Sequence, residues 1–351
     1  MTGKLLIDVV RCYSPSEQEG PAVAYLVEWM QGHGFQAAID AAGNAVGWRG
    51  PDDAPHTLLL LGHIDTVPGE IPVRVEDGRL YGRGSVDAKG SLCAFAEAVA
   101  QAVLPPDLRV IVAGAVEEEI ATSRGAHYIR DRYAPDLCII GEPSGAGRVT
   151  LGYKGRLLVD YALERPMVHS SRPEPSVGAL GAAFWQAVLA WADQQNAGAG
   201  RAFEQIIPRL NGINTTSDGF REALAMTVGF RLPPRLTPDD VLGAISEFAA
   251  PDAALHGYSQ VRAYQAEKNN ALVRGMLAAI RAQGAQPGFV LKGGTSDMNT
   301  VGERWSCPII AYGPGDSDLD HTPHEHLELA EYAQSVATLR HLIEYLNLNG
   351  R

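Results

Sequence analysis

Residues 57–65 read TLLLLGHID. The run from Thr57 to Leu61 is continuous, as in a central strand covered on both faces; a strand with one wet face would alternate. It ends in His63 and Asp65. Two further stretches repeat the form. LRVIVAGAV (108–116) runs into Glu117, Glu118 and Glu119, and DLCIIGEP (136–143) carries Glu142 after its apolar core. Helical segments separate them: SEQEGPAVAYLVEWMQGHG (16–34), stopped by Gly32 and Gly34, then KGSLCAFAEAVAQAV (89–103) and GAHYIRDRY (125–133). Short strands are expected at FQAAI (35–39) and NAVGWR (44–49). Strands alternating with helices predict an α/β sheet.

The pattern changes near residue 156. RLLVDYAL (156–163) alternates like a half-exposed strand, and SVGALGAAFWQAVLAWADQQ (176–195) is a long helix. FEQIIPRL (203–210) and ALAMTVGFRL (223–232) read as strands. TPDDVLGAISEFAA (237–250) is a helix with Thr237 as its cap, and HGYSQVRAY (256–264) is a strand. The order βαββαβ is that of a ferredoxin-like unit. From 266 the α/β pattern resumes with NNALVRGMLAAIRAQG (269–284), the strand CPIIAYG (307–313) and a terminal helix from Leu329 to about Leu348. Residues 1–155 and 266–351 therefore form one domain, and 156–265 a second domain inserted into it.

At 351 residues the chain can bury a large core, and its net charge of -12 argues against a general nucleic-acid or anionic-membrane binder. Cys12, Cys93, Cys138 and Cys307 are far apart in sequence, which fits free thiols in a reducing cytoplasm better than a disulfide framework or a zinc knuckle. MTGKLLIDVVRCYSPS (1–16) lacks the apolar core of a signal peptide, and no apolar stretch reaches spanning length. A cytoplasmic protein with neither nucleic-acid nor membrane partner is expected.

His63, Asp65, Glu118, Glu119, Glu142 and His321 all follow apolar strand runs or lie in the loops after them, and Asp87 precedes a helix. In open α/β sheets, ligands bind beyond the carboxyl ends of the strands, so these separated segments could converge on one crevice. Two histidines and several carboxylates without cysteine suit zinc or cobalt in a hydrolytic site. Two dications can share one carboxylate and activate a water, while a carboxylate free of metal moves the proton. Each residue alone has a plainer reading. A single histidine is usually structural, three glutamates in a row are usually a solvated surface, Asp87 could cap a helix, and Arg231 could be a strand-end surface charge.

As an ordered set, GHIDTVP (62–68), GRGSVDAKG (82–90), VEEEIA (116–121), IIGEPS (139–144), GGTSDMN (293–299) and DHTPHE (320–325) resemble the motifs of the M20 metallopeptidase and amidohydrolase family. The resemblance implies a mixed-sheet α/β, di-zinc exopeptidase-like catalytic domain with an inserted ferredoxin-like lid and dimerisation domain. It implies one cation on His63, Asp87 and Glu142 and another on Asp87, Glu119 and His321, with Asp87 bridging. Asp65 would orient His63, and Glu118 would be the general base and acid. Glu117 stands where the family usually has aspartate, and a structural role suits it. A cis peptide is implied at Asp87–Ala88. In the lid, His169 of VHSSRP (168–173) would steady the oxyanion in a neighbouring subunit's site. Asn214 and Arg231 of the lid would contact substrate, together with Thr295 and Ser296 of the glycine-rich loop.

Within the family, AVEEEIATSRGAH (115–127), GYKGR (152–156) and GGTSDMN look most like hydrolases of lysine and arginine biosynthesis, which release lysine or ornithine from the C-terminal glutamate of a small acidic amino-group carrier protein. A small-molecule deacylase acting on acetylornithine or acetyl-lysine is the alternative. A non-catalytic binding relative is another, although every expected ligand position is filled. An acidic carrier calls for a local basic cluster despite the overall charge, with Arg124, Lys154, Arg156, Arg172 and Lys292 as candidates.

Overall fold

The computed structural model describes residues 3–346. The chain divides into two compact units: residues 1–152, 266–291 and 296–351 in one, and residues 153–265 with 292–295 in the other.

In the first unit the apolar runs are central strands. The strand His56–His63 lies parallel to Leu108–Ala115 on one side and to Leu137–Gly141 on the other. Leu58, Leu59, Leu60 and Leu61 are all fully buried. Each such side chain contributes roughly 1.5–3 kcal/mol of burial. Ile309–Ala311 adds a further parallel strand beside Leu137–Gly141, and Ala45–Arg49 and Gln36–Ile39 extend the opposite edge antiparallel. The helix Lys89–Gln101 packs on this sheet, and a row of glycines admits it. Gly114, Gly62 and Gly141 sit in register on three adjacent strands. A Cβ at Gly62 would lie 3.1 Å from Leu92 Cβ, at Gly114 2.9 Å from Leu92 Cδ2, and at Gly141 2.8 Å from Phe95 Cε2.

The helix Lys4–Arg11, which buries Leu5, Leu6, Val9 and Val10 on one face, is an element the sequence reading leaves out despite its amphipathic pattern. The helix Asp297–Gly302 and a small sheet of Arg74–Glu76, Arg79–Tyr81 and His326–Glu328 have no clear apolar periodicity to announce them. Each of these is short, so few apolar positions mark it. The terminal helix spans Leu329–Tyr345, and its expected end at Leu348 lies outside the described residues. No helix among the described residues is long and apolar enough to cross a membrane, and all four cysteines are free.

The second unit has the order Gly155–Pro166, helix Val177–Gln195, Ile207–Ser217, Arg221–Leu232, helix Pro238–Ser246, Ala254–Val261. Its strands, numbered in chain order, stand 2-3-1-4 across the sheet, all antiparallel. The helices cover one face through Tyr161, Phe184, Val228, Phe230 and Ile245. Thr237 caps its helix in a reciprocal box with Asp240, worth about 1 kcal/mol. One expectation needs correcting: FEQIIPRL is not strand throughout. Ala202–Glu204 is a turn of 3-10 helix, and the strand starts at Ile207. Asn196 explains the break, because its side chain bonds both the N–H and the carbonyl of Ile206, each at 2.8 Å.

Candidate metal centre

Because His56–His63, Leu108–Ala115 and Leu137–Gly141 are parallel and adjacent, His63, the segment after Ala115, and Glu142 leave the sheet at one edge. Asp65, fully buried, organises this edge. The N–H groups of Glu118 and Glu119 donate to its two carboxylate oxygens at 3.1 Å each, and the Ser16 hydroxyl donates at 2.7 Å. His63 Nδ1 lies 3.1 Å from the Asp65 backbone carbonyl and 3.4 Å from Asp65 Oδ1. Both the main chain and the side chain of Asp65 thus face this ring nitrogen. A proton held on Nδ1 turns the lone pair of Nε2 towards Asp87.

Asp87 lies between two imidazoles. Its Oδ1 is 3.1 Å from His63 Nε2, and its Oδ2 is 3.1 Å from His321 Nε2. His321 Nε2 is also 3.1 Å from Glu119 Oε2. The peptide Asp87–Ala88 is cis. Asp87 does not cap the following helix, since Ala88 holds the cap position with no side-chain bond. Among the described residues, three sets place ligand-type atoms within 4.8 Å of one another: His63, Asp87 and Glu142; Asp87, Glu119 and His321; and His63, Glu118 and Glu119.

Burial pushes Glu118 well above the usual carboxylate range, with Glu142, Asp297 and Glu119 adding repulsion and His63 opposing. Burial likewise raises Glu119, and raises Asp297 to about 7. His321, held by Asp87 and Glu119, rises to about 10. Carboxyls so crowded either keep a proton or lie beside positive charge, from imidazolium or from a bound cation. The donors are imidazole nitrogens and carboxylate oxygens without thiolate, a set that fits divalent cations.

Glu117 is set apart from its neighbours. Its carboxylate accepts from Thr122 Oγ1 at 2.6 Å and from Arg124 Nε at 2.7 Å, and its backbone stands at φ 62°. Arg124 is thereby engaged inside this loop. Three residues with no expected role also stand close to the site or its loops. Asp297, 2% exposed, has an Oδ1 without a hydrogen-bond partner. Glu325 and Arg83 form a buried pair. The quoted motifs contain all three, but only their neighbours looked like ligands. Ser296 is held as the cap of Asp297–Gly302, accepting from Met298 N–H.

The remaining candidates belong to the second unit. Exposed His169 follows the strand Gly155–Pro166, and its Nδ1 is 2.8 Å from Ser171 Oγ. Asn214 is exposed on Ile207–Ser217, and Thr295 is half-buried. Arg231 and Arg156 are directly opposed across two strands, on the sheet face away from the helices. Burial lowers Arg231, and Arg156 and Arg209 add repulsion. Like charges directly opposed are unfavourable, and Arg231 Nη1 is buried without a hydrogen-bond partner. Lys154 departs from its expected place at an exposed docking site. It is 1% exposed and donates to the Gln205 carbonyl; burial, with Arg231 nearby, pushes it down to about 8.

Residues 59–345 match Peptidase family M20/M25/M40. This chain belongs to that family. It is 45% identical to the LysW-lysine hydrolase of Deinococcus radiodurans, over 96% of this chain and 94% of the relative. It is 28% identical to the LysW-lysine/LysW-ornithine hydrolase of Saccharolobus solfataricus, over 98% and 95% respectively. Among solved structures the fold is similar to aminopeptidase PepT from Bacillus cereus, with TM-score 0.80, 15% identity, and 97% of this chain and 96% of that one covered. It is also similar to the M20 family metallo-carboxypeptidase Sso-CP2 from Sulfolobus solfataricus, with TM-score 0.73, 19% identity and 97% coverage of both. The M20 protein is thus a hydrolase of a family that works with divalent metal ions.

Proposed function

We propose that this M20 hydrolase cleaves the amide joining lysine, or ornithine, to the C-terminal glutamate of an acidic amino-group carrier protein, in lysine or arginine biosynthesis. The observation that carries the reading is the near end-to-end likeness to the Deinococcus radiodurans relative, whose name states LysW-lysine as what it hydrolyses. His63, Asp87 and Glu142 hold one cation and Asp87, Glu119 and His321 the other, zinc or cobalt in each. Bound there, the cations act as Lewis acids on the amide carbonyl and acidify water near neutral pH. Glu118 takes the proton of the attacking water and passes it to the leaving α-amine. Asp65 keeps Glu118 and Glu119 in place through their backbone amides and helps to set the His63 tautomer. Arg231 receives a carboxylate, and Asn214, Thr295 and Ser296 make polar contacts to substrate.

The opposed arginines of the second unit support an acidic partner; the overall charge of -12 favours the second reading, a small-molecule deacylase acting on acetylornithine or acetyl-lysine. The four free cysteines support a cytoplasmic setting. The inserted unit serves as lid and dimerisation domain, with His169 stabilising the oxyanion in the partner subunit's site. Mixed dimers of His169→Ala and Glu118→Gln subunits then regain one working site; verified mixed dimers without activity would exclude action in trans. Chelation abolishes hydrolysis, and zinc or cobalt restores it. Full activity in the metal-free protein would overturn the mechanism.

A further inference from the structure

His321 sits in an irregular loop, with its own backbone at φ 60°, and 234 positions separate it from Asp87. One fully buried carboxylate links the two segments. Glu325 Oε1 accepts the Val86 N–H at 2.9 Å and the Asp87 N–H at 3.1 Å, while Glu325 Oε2 accepts from Arg83 Nη1 at 2.8 Å. The same Arg83 nitrogen donates to the Thr322 carbonyl at 3.1 Å, next to His321, and Arg83 Nε donates to the Gly69 carbonyl at 3.0 Å. Both Glu325 oxygens are used, so this carboxylate positions other groups instead of ligating metal. A buried ion pair is a poor source of net stability compared with apolar packing, because both charges must be desolvated. What this pair supplies is a defined distance between two loops.

We propose that Arg83 and Glu325 are positioning residues that fix the spacing of Asp87 and His321, and so set the affinity of the Asp87–Glu119–His321 set for its cation. The inference rests on the reading of those three residues as ligands. The test is titration of metal-free protein with cobalt(II), followed by calorimetry and visible absorption, for wild type, Glu325→Ala, Glu325→Gln and Arg83→Met, with the folded fraction measured by circular dichroism. Wild type takes up two cobalt ions. Glu325→Ala keeps the first and weakens the second by about 10–100-fold, with a changed absorption band. Glu325→Gln is affected less, since its amide oxygen still accepts from Val86 and Asp87, and Arg83→Met weakens the same step. Unchanged binding in folded Glu325→Ala overturns the proposal, as does a loss explained wholly by unfolded protein. If Glu325→Ala does not fold, Glu325→Gln decides: a weakened second step supports the clamp and an unchanged one overturns it. A wild type that binds no second cation defeats the ligand reading itself, a distinguishable failure.

Discussion

Asp65 spends both carboxylate oxygens on Ser16, Glu118 and Glu119, and Glu325 spends both of its own on Arg83, Val86 and Asp87. Arg231, in the inserted unit, faces Arg156 across the sheet with a buried Nη1 that has no hydrogen-bond partner. The first arrangement holds the backbone of Asp87, Glu118 and Glu119 through buried carboxylates. The second sets two arginines against each other, and like charges so placed repel. Rigid backbone amides position the one, and like-charge repulsion marks the other.

The largest expected effect breaks the chemistry on the metal side without touching its assembly. Glu118→Gln lowers turnover by about 10²–10⁴-fold and leaves the metal content at wild-type level. Paired elemental analysis and kinetics check this, and a variant with normal turnover removes Glu118 from its role. On the anion side, Arg231→Gln raises KM by about 10–100-fold for an acidic substrate, with a smaller change in kcat. Equal KM values in the two proteins would leave the opposed arginines without a ligand-binding meaning. Gly141→Ala pushes a methyl group against Phe95 beneath the candidate metal centre and costs about 1–3 kcal/mol, seen as a lower Tm.

The smallest effect concerns Lys154, lowered to about 8 by burial, with Lys89 lowered similarly by burial. Between pH 8 and the unfolded value of about 10.4, the unfolded chain holds protons that the folded chain has released, so this contribution to stability rises with pH. Lys154→Met removes its share and leaves that of Lys89. The wild type therefore gains more Tm than the variant between pH 8 and pH 10, and equal gains would show that Lys154 titrates normally.

Much of the first unit was legible because its central strands are buried on both faces, and unbroken runs such as Thr57–Leu61 are hard to mistake. The inserted unit was legible in order but less so in detail. Alternation does not show where Asn196 interrupts a strand, nor that Lys154 of GYKGR turns inward to a carbonyl. The grouping of His63, Asp87, Glu119, Glu142 and His321 followed from strand ends plus ordered motifs. Arg83, Asp297 and Glu325 lay inside those same motifs and gave no signal, because their positions depend on contacts between loops far apart in sequence. Arg124 looked like an available surface cation, and its engagement with Glu117 depends on the turn at φ 62°.

The most direct measurement of the central claim is a side-by-side assay of the metal-loaded protein on carrier-linked lysine, carrier-linked ornithine, N-acetyl-lysine and N-acetylornithine at equal concentration. The account predicts that kcat/KM is highest on a carrier-linked substrate, and that added salt narrows the advantage by screening the arginine face. Faster hydrolysis of an acetylated amino acid than of either carrier-linked substrate would contradict it.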